Sequence, residues 1–100
     1  MLCNLDEQKC TKCQKYWPDD SSHFRHGMFL IESVSVTQKS NYIHRIFYLK
    51  WNNKTRTVHQ FQYLSWAMKG VPASVKSFTG FVKQLIEVSD KKYPVVVHSE

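Results

Sequence analysis

The stretch YIHRIFYLKWNNKTRTVHQFQYL, residues 42–64, decides the fold. It consists of two runs rich in β-branched and aromatic residues, which are typical of strands. Asn52 and Asn53 separate the runs, and asparagine tolerates the positive φ that a tight turn needs. The stretch therefore predicts a β-hairpin. Val58 and Phe61 do not share a face under strict alternation, so we expect a bulge or a twisted end in the second arm.

Further elements are predicted on both sides of this hairpin. Residues 28–36, MFLIESVSV, alternate as a strand, whereas residues 10–26 hold a proline with paired aspartates and serines and are predicted to form a loop. Beyond the hairpin, apolar residues recur at helical spacing and form one stripe. Ser74 is the expected N-cap, and the helix is expected to end within residues 89–92. The stripe consists of Val75, Phe78, Val82, Leu85 and Ile86.

The consecutive valines within residues 94–98 predict a buried strand. A strand, a helix and a second apolar strand form a βαβ unit, which implies parallel pairing and a right-handed crossover. Ligands bind beyond the carboxyl ends of such strands, so we expect residues 65–72 and 98–100 to face each other across a site. The fold class expected for residues 1–100 is α+β, with a mixed, twisted sheet and one crossover helix.

The composition fits one globular domain inside the cell. The chain has 100 residues, 42% of them hydrophobic, and a formal net charge of +6. No apolar run reaches membrane-spanning length, and the first residues do not resemble a signal peptide, so a cytoplasmic location is predicted. The three cysteines are expected to be reduced thiols. The positive net charge favours acidic partners. The basic residues are scattered along the chain, however, which also fits an ordinary solvated surface.

Four short motifs follow one another along the chain: KCQKYWP (12–18), RTVHQFQYLSW (56–66), GVP (70–72) and PVVVHS (94–99). In this order they resemble the motifs of the classical, phosphotyrosine-specific protein tyrosine phosphatase domains. Residues 27–29 and 45–47 also match strand signatures of those domains. More narrowly, the chain is similar to the divergent phosphatase copies carried by polydnaviruses (bracoviruses) of parasitoid wasps. That narrower resemblance implies a viral protein in the host-cell cytoplasm that acts on host signalling.

The resemblance implies that residues 1–100 form a single incomplete domain. Compared with the family, the chain corresponds to a middle segment. The N-terminal part that recognises phosphotyrosine is expected to be absent, and so is the C-terminal part that forms the phosphate loop with its arginine. We therefore expect a truncated copy of the phosphatase domain.

The resemblance also implies a chemistry that this chain does not support. In the family a cysteine thiolate attacks phosphorus, and an aspartic acid protonates the leaving phenol. Ser99 stands at the nucleophile position, and a hydroxyl is a much weaker acid than a thiol. The family pattern Trp-Pro-Asp appears as Trp66-Ala67-Met68, and methionine has no proton to donate. We therefore predict a catalytically inactive, phosphatase-like protein.

Several other positions keep family identities and are interpreted as structural, although the resemblance makes them candidates for substrate binding. They are Arg45, Gln60, Trp66 and His98. Asp19 and Asp20 belong to a different loop and are not expected to replace the missing acid. His98 precedes Ser99, and consecutive side chains of a strand point to opposite faces. A Ser–His catalytic pair is therefore not expected.

Two alternative sites depend on residue types alone. Cys10 and Cys13 form a C-x-x-C pair that could bind zinc together with His23 and His26, but the spacing is tighter than that of zinc fingers, and packing roles are favoured. The second alternative is a basic nucleic-acid-binding module, in which aromatic residues stack on bases and cations track phosphates. Its residues would be Lys39, His44, Arg45, Lys50, Lys54 and Arg56 with Tyr42, Phe47, Tyr48 and Trp51.

The sequence favours either a decayed gene product without function or a protein that works through contacts with other proteins, and no cofactor is needed. Phosphotyrosine proteins are the weaker expectation among protein partners, because the family's recognition loops are expected to be absent. Nucleic acid is the less favoured partner, because hairpin alternation already accounts for the mixed aromatic and basic residues. A further alternative is that the chain is part of a longer protein that dephosphorylates phosphotyrosine proteins.

Overall fold

The computed structural model describes residues 1–2, 14–66, 71 and 74–99. Four strands form one sheet in the order β1-β2-β3-β4, and each neighbouring pair is antiparallel. A single helix follows in the described part of the chain, which confirms the predicted α+β class. The elements are β1 (His23–His26), β2 (Phe29–Gln38), β3 (Tyr42–Trp51), β4 (Lys54–Tyr63) and α1 (Val75–Val88).

The hairpin predicted from residues 42–64 is confirmed as β3 and β4. Asn52 and Asn53 have φ values of 51° and 63°, as a two-residue turn with positive φ requires. The two strands pair without a register shift, so the bulge considered for the second arm is wrong. Val58 pairs with Phe47 across the two strands and lies on the same face of the sheet, with 38% of its surface exposed. Phe61 lies on the other face. The register shift lies instead between β2 and β3, at residues 33–35.

The loop predicted for residues 10–26 is wrong at its end, because β1 pairs there with β2. Gly27 has a φ of 60°, a conformation that glycine adopts at little cost, and this allows the chain to reverse between His26 and Phe29. The predicted strand of residues 28–36 is confirmed as β2, and extends two residues further. Residues 10–13 lie outside the described residues.

The predicted helix and its caps are confirmed. The Ser74 hydroxyl accepts the backbone N–H of Ser77 at 3.1 Å, and the Ser89 N–H donates to the Leu85 carbonyl at the other end. The predicted stripe is wrong at two positions, since Val75 and Ile86 are 79% and 65% exposed. They lie at the margins of the apolar face, whose buried centre is Phe81.

The strand predicted from the valine run is not formed in the described residues 94–99. Val95, Val96 and Val97 are 50%, 79% and 67% exposed, so their predicted burial is also wrong. The run does not pair directly with β4, because the first two residues lie between them. The Tyr63 N–H donates to the Met1 carbonyl at 2.9 Å, and the Leu2 N–H donates to the His98 carbonyl at 3.0 Å.

Apolar clusters lie on both faces of the sheet. On one face Met1, Trp17 and Phe47 are buried together with the half-buried Ile31, and we call this the Trp17 face. On the other face, the helix face, α1 packs on the sheet through aromatic residues. This second cluster consists of Phe61, Tyr63 and Phe81, packed against Leu2, Tyr42, Trp66, Phe78, Val82, Leu85 and Val88. Within the described residues, α1 is too short and too polar to cross a membrane.

Candidate functional site

A buried arginine organises the Trp17 face. Arg45 lies on β3 directly opposite Gln60 on β4, and alternation places Gln62 on the same face. One guanidinium nitrogen of Arg45 donates to the Oε1 atoms of Gln60, at 3.0 Å, and Gln62, at 2.9 Å. The guanidinium carbon lies 4.6 Å from the centroid of the Trp17 ring, which is within cation–π distance. In the described residues the guanidinium is therefore contacted by two amide oxygens and an aromatic face, and no carboxylate is hydrogen-bonded to it.

A chain of hydrogen bonds leads from this arginine to the end of the valine run. The Gln60 Nε2 donates to the Tyr16 hydroxyl at 2.8 Å, and that hydroxyl lies 3.1 Å from the Nε2 of His98. Because the Tyr16 oxygen already accepts from Gln60, its proton is available to His98. We call Arg45, Gln60, Tyr16 and His98 the polar relay. It ends on the residue before Ser99.

Burial lowers the pKa of the residues at both ends of the polar relay, Arg45 and His98. Desolvation lowers the pKa of the Arg45 guanidinium, while Asp20 and then Tyr16 oppose this shift. Its Nε atom is buried and has no hydrogen-bond partner in the described part of the chain. Desolvation also lowers the pKa of His98, and the positive charge of the Met1 amine lowers it further. Both effects favour a neutral imidazole, which can accept the Tyr16 proton at Nε2.

The structure brings together three of the four family-like residues and separates the fourth. Arg45, Gln60 and His98 belong to the polar relay, and their interpretation as structural residues stays a prediction. Trp66 lies on the helix face, where its ring meets Phe78 edge-on with centroids 5.2 Å apart. It packs in the core, as predicted for its indole.

Two members of this site were not predicted as such. Tyr16, which lies in the motif KCQKYWP, is 50% exposed and connects Gln60 to His98. Gln62 was not singled out at all. The available signal was the Gln-Phe-Gln pattern of residues 60–62, because alternation places both glutamines on the face of the buried cation.

The predicted catalytic positions are only partly described. Ser99 follows His98 directly and is exposed. Met68 and Glu100 lie outside the described residues, so the expected site between residues 65–72 and 98–100 stays a prediction. Asp19 forms an ion pair with Lys15 four residues earlier, on the loop before β1.

The histidines of the proposed zinc site do not converge. His23 and His26 are three residues apart in β1, and alternation places them on opposite faces of the strand. They do not form a pair of ligands there. Cys10 and Cys13, the remaining members of that hypothesis, lie outside the described residues.

The residues of the nucleic-acid hypothesis are divided between the two faces. Arg45 and Phe47 are buried on the Trp17 face. His44 lies on the helix face, stacked on Phe61 with ring centroids 4.2 Å apart, and Lys50 is paired with Glu32 at 3.0 Å. A continuous track of aromatic and basic side chains is therefore not formed by these residues.

Comparisons with known proteins extend the resemblance over the whole chain. A family profile described as protein-tyrosine phosphatase matches residues 1–100. Tyrosine-protein phosphatase 16 of Styela plicata is 34% identical over 97% of this chain and 88% of its own length. Tyrosine-protein phosphatase 2 of Dictyostelium discoideum is 37% identical over 98% of this chain and 26% of its own length. The receptor-type tyrosine-protein phosphatase-like ida-1 of Caenorhabditis elegans is 38% identical over 99% of this chain and 13% of its own length.

The fold also matches a solved structure. PTPN18 in complex with HER2-pY1248 phosphor-peptides superposes with a TM-score of 0.88 and is 25% identical in sequence. The match covers 98% of this chain and 37% of that chain. The strands and the helix are therefore those of one part of a larger α+β domain.

Proposed function

Since the chain belongs to the protein-tyrosine phosphatase family, we propose that it is a catalytically inactive member that works through contacts with other proteins. The observation that carries this proposal is the serine at position 99. The family resemblance places the nucleophilic cysteine there, directly after the histidine that closes the valine run.

Serine at this position needs a base that the polar relay does not provide. A thiol can be activated by lowering its pKa, whereas a hydroxyl requires an adjacent general base. His98 is the neighbouring imidazole, and its Nε2 lies 3.1 Å from the Tyr16 hydroxyl. When this Nε2 accepts the Tyr16 proton, the lone pair that a catalytic base would use is engaged. This arrangement favours a structural role for His98.

The residue at the general-acid position gives independent support to the proposed inactivity. Met68 stands where the family pattern Trp-Pro-Asp has its aspartate. General acid–base catalysis is typically worth about 10²–10⁴-fold in rate. Loss of the acid alone would therefore slow turnover strongly, and loss of the thiolate would remove the covalent step as well.

The class of partner follows from the family. Its structural neighbour PTPN18 was solved in complex with HER2-pY1248 phosphor-peptides. This supports phosphotyrosine proteins, or the complexes that contain them, as partners of the present chain. The cytoplasm, where such signalling proteins act, is the proposed location, and a polydnavirus origin stays a prediction from the sequence.

A turnover assay on the purified chain with a phosphotyrosine peptide tests the proposal. We expect phosphate release no faster than in buffer, because position 99 carries a hydroxyl and position 68 a thioether. The Ser99→Ala variant is the matched control, since it removes the hydroxyl with little change in volume. Turnover by the unmodified chain that the Ser99→Ala variant lacks would contradict the proposal and support the alternative of an active phosphatase.

A further inference from the structure

A second surface lies at the end of the sheet opposite Trp66, around the turn that joins β3 and β4. We call it the turn surface: Arg25, Met28, Leu30, Lys50, Trp51 and Lys54 line a shallow cavity of about 410 Å³ there, together with Asn52, Asn53 and Thr55. Met28 is 74% exposed and Trp51 is 40% exposed. Two large apolar side chains thus face solvent next to basic ones.

The strand register explains why these residue types meet. Arg25, Leu30 and Lys50 are successive partners across β1, β2 and β3, so they share one face of the sheet in a single row. The half-buried Leu30 therefore lies between two cations. Lys54 begins β4 just beyond the turn and adds a third cation at the rim.

The positive charge of the turn surface is only partly neutralised. Lys50 pairs with Glu32 at 3.0 Å, one row further along the same face. Arg25 and Lys54 are exposed, and neither forms an ion pair with an acidic side chain in the described residues. Two cations of the turn surface are therefore free to meet an anionic partner.

We propose that the turn surface binds an acidic segment of a partner protein. An apolar side chain of that segment lies against Met28 and Leu30, while flanking carboxylates pair with Arg25 and Lys54. Methionine suits such a site, because its flexible thioether adapts to irregular surfaces, and methionine, arginine and aromatic residues are enriched in protein interfaces. This inference rests on the proposed function, since it gives the protein–protein contacts a surface and a partner of defined charge.

The same charges disfavour other occupants. A second copy of this chain would place cations against cations in a symmetric contact, and like charges across an interface repel each other. A nucleic acid gains most from a continuous row of phosphate contacts, but one of the three cations here is already paired with Glu32. The exposed Met28 beside Leu30 provides apolar area that a phosphate backbone cannot use.

Fluorescence anisotropy on the full chain tests this inference. The probe is a short fluorescein-labelled peptide with a central leucine flanked on both sides by glutamates. We expect saturable binding that weakens with added salt, since the contacts are exposed ion pairs. The double variant Arg25→Glu with Lys54→Glu should weaken binding by about tenfold or more, because each carboxylate then faces a carboxylate. Met28→Ser should weaken it less, through loss of apolar contact.

The control variant is Lys83→Glu, which changes an exposed cation on α1 away from the turn surface. It should leave the affinity unchanged. The inference is overturned if the peptide does not bind, if the charge reversals at positions 25 and 54 leave its affinity unchanged, or if Lys83→Glu lowers it as much. It is also overturned in favour of nucleic acid if a single-stranded oligonucleotide binds the turn surface more tightly than the peptide. The phosphatase assay is a separate measurement, so either proposal can fail alone.

Discussion

The two faces of the sheet solve the same packing problem with different chemistry. The helix face buries aromatic rings against α1, with Tyr63 fully buried and Phe61 and Phe81 nearly so. The Trp17 face buries a cation, whose charge is balanced by Gln60, Gln62 and the Trp17 ring. Apolar contacts tolerate small shifts, whereas a buried charge requires each donor and acceptor to stay in place. We therefore expect the helix face to contribute more stability and the Trp17 face to fix geometry.

The largest effect is expected at the centre of the helix face. Phe81→Ala should lower the free energy of unfolding by about 3–5 kcal/mol, because it removes buried area and leaves a cavity. Ile86→Ala, on the same helix but 65% exposed, is the matched control and should change it by about 0.5 kcal/mol or less. Urea denaturation of both variants measures the difference. Equal losses would show that α1 does not pack through Phe81.

An intermediate effect is expected at the Trp17 face. Arg45→Met keeps most of the volume but removes the donor to the Gln60 Oε1. An unsatisfied buried acceptor costs about 1–3 kcal/mol, so unfolding should become easier by that order. Lys91→Met, at an exposed position after α1, should change stability by about 0.5 kcal/mol or less. A neutral or stabilising Arg45→Met variant would mean that desolvation of the guanidinium outweighs its contacts.

The smallest effect is the pH dependence, and it involves one histidine on each face. Burial lowers the pKa of both His44 and His98, with help from His59 in the first case and from the Met1 amine in the second. A lowered pKa means that the folded chain binds the proton more weakly than the unfolded chain. The stability that each of these histidines contributes is therefore fully present above its pKa in the unfolded chain, about 6.5. That contribution is lost as the pH falls through the lower pKa of the folded chain.

Urea midpoints between pH 7.5 and pH 5 measure this dependence. His44→Gln and His98→Gln should each make the decline shallower, because the group that takes up the proton on unfolding is gone. If neither His44→Gln nor His98→Gln changes the slope of the urea midpoint against pH, the acid sensitivity comes from other groups.

Local patterns predicted much of the fold. The asparagine turn and the alternation around it placed β3 and β4, and the serine cap with its apolar spacing placed α1. Their signals lie within a few residues of each other. The predicted apolar stripe omits Phe81, because the centre of the stripe was placed too far round the helix, on the side of Ile86. Such local patterns do not predict which distant segments are neighbours in the fold. The valine run was expected to pair with β4, but Met1 and Leu2 lie between them.

The candidate site shows the same limit. Family identities pointed to Arg45, Gln60 and His98 one by one, but no spacing indicated that Tyr16 would connect them. The four residues of the polar relay come from the loop before β1, from β3, from β4 and from the end of the valine run. Only the folded sheet brings these four segments together. In the same way, the turn surface depends on register across three strands, which the sequence alone does not specify.

The hydrogen bond from the Leu2 N–H to the His98 carbonyl has a consequence for the order of folding. The β3–β4 turn closes a loop of two residues, so its ladder forms at little entropic cost and on the time scale of isolated hairpins. The Leu2–His98 contact closes almost the entire chain, and loop-closure entropy rises with the logarithm of the length enclosed. Contacts of such high sequence separation slow folding. The geometry around Ser99 thus depends on the pairing that is entropically the hardest to form.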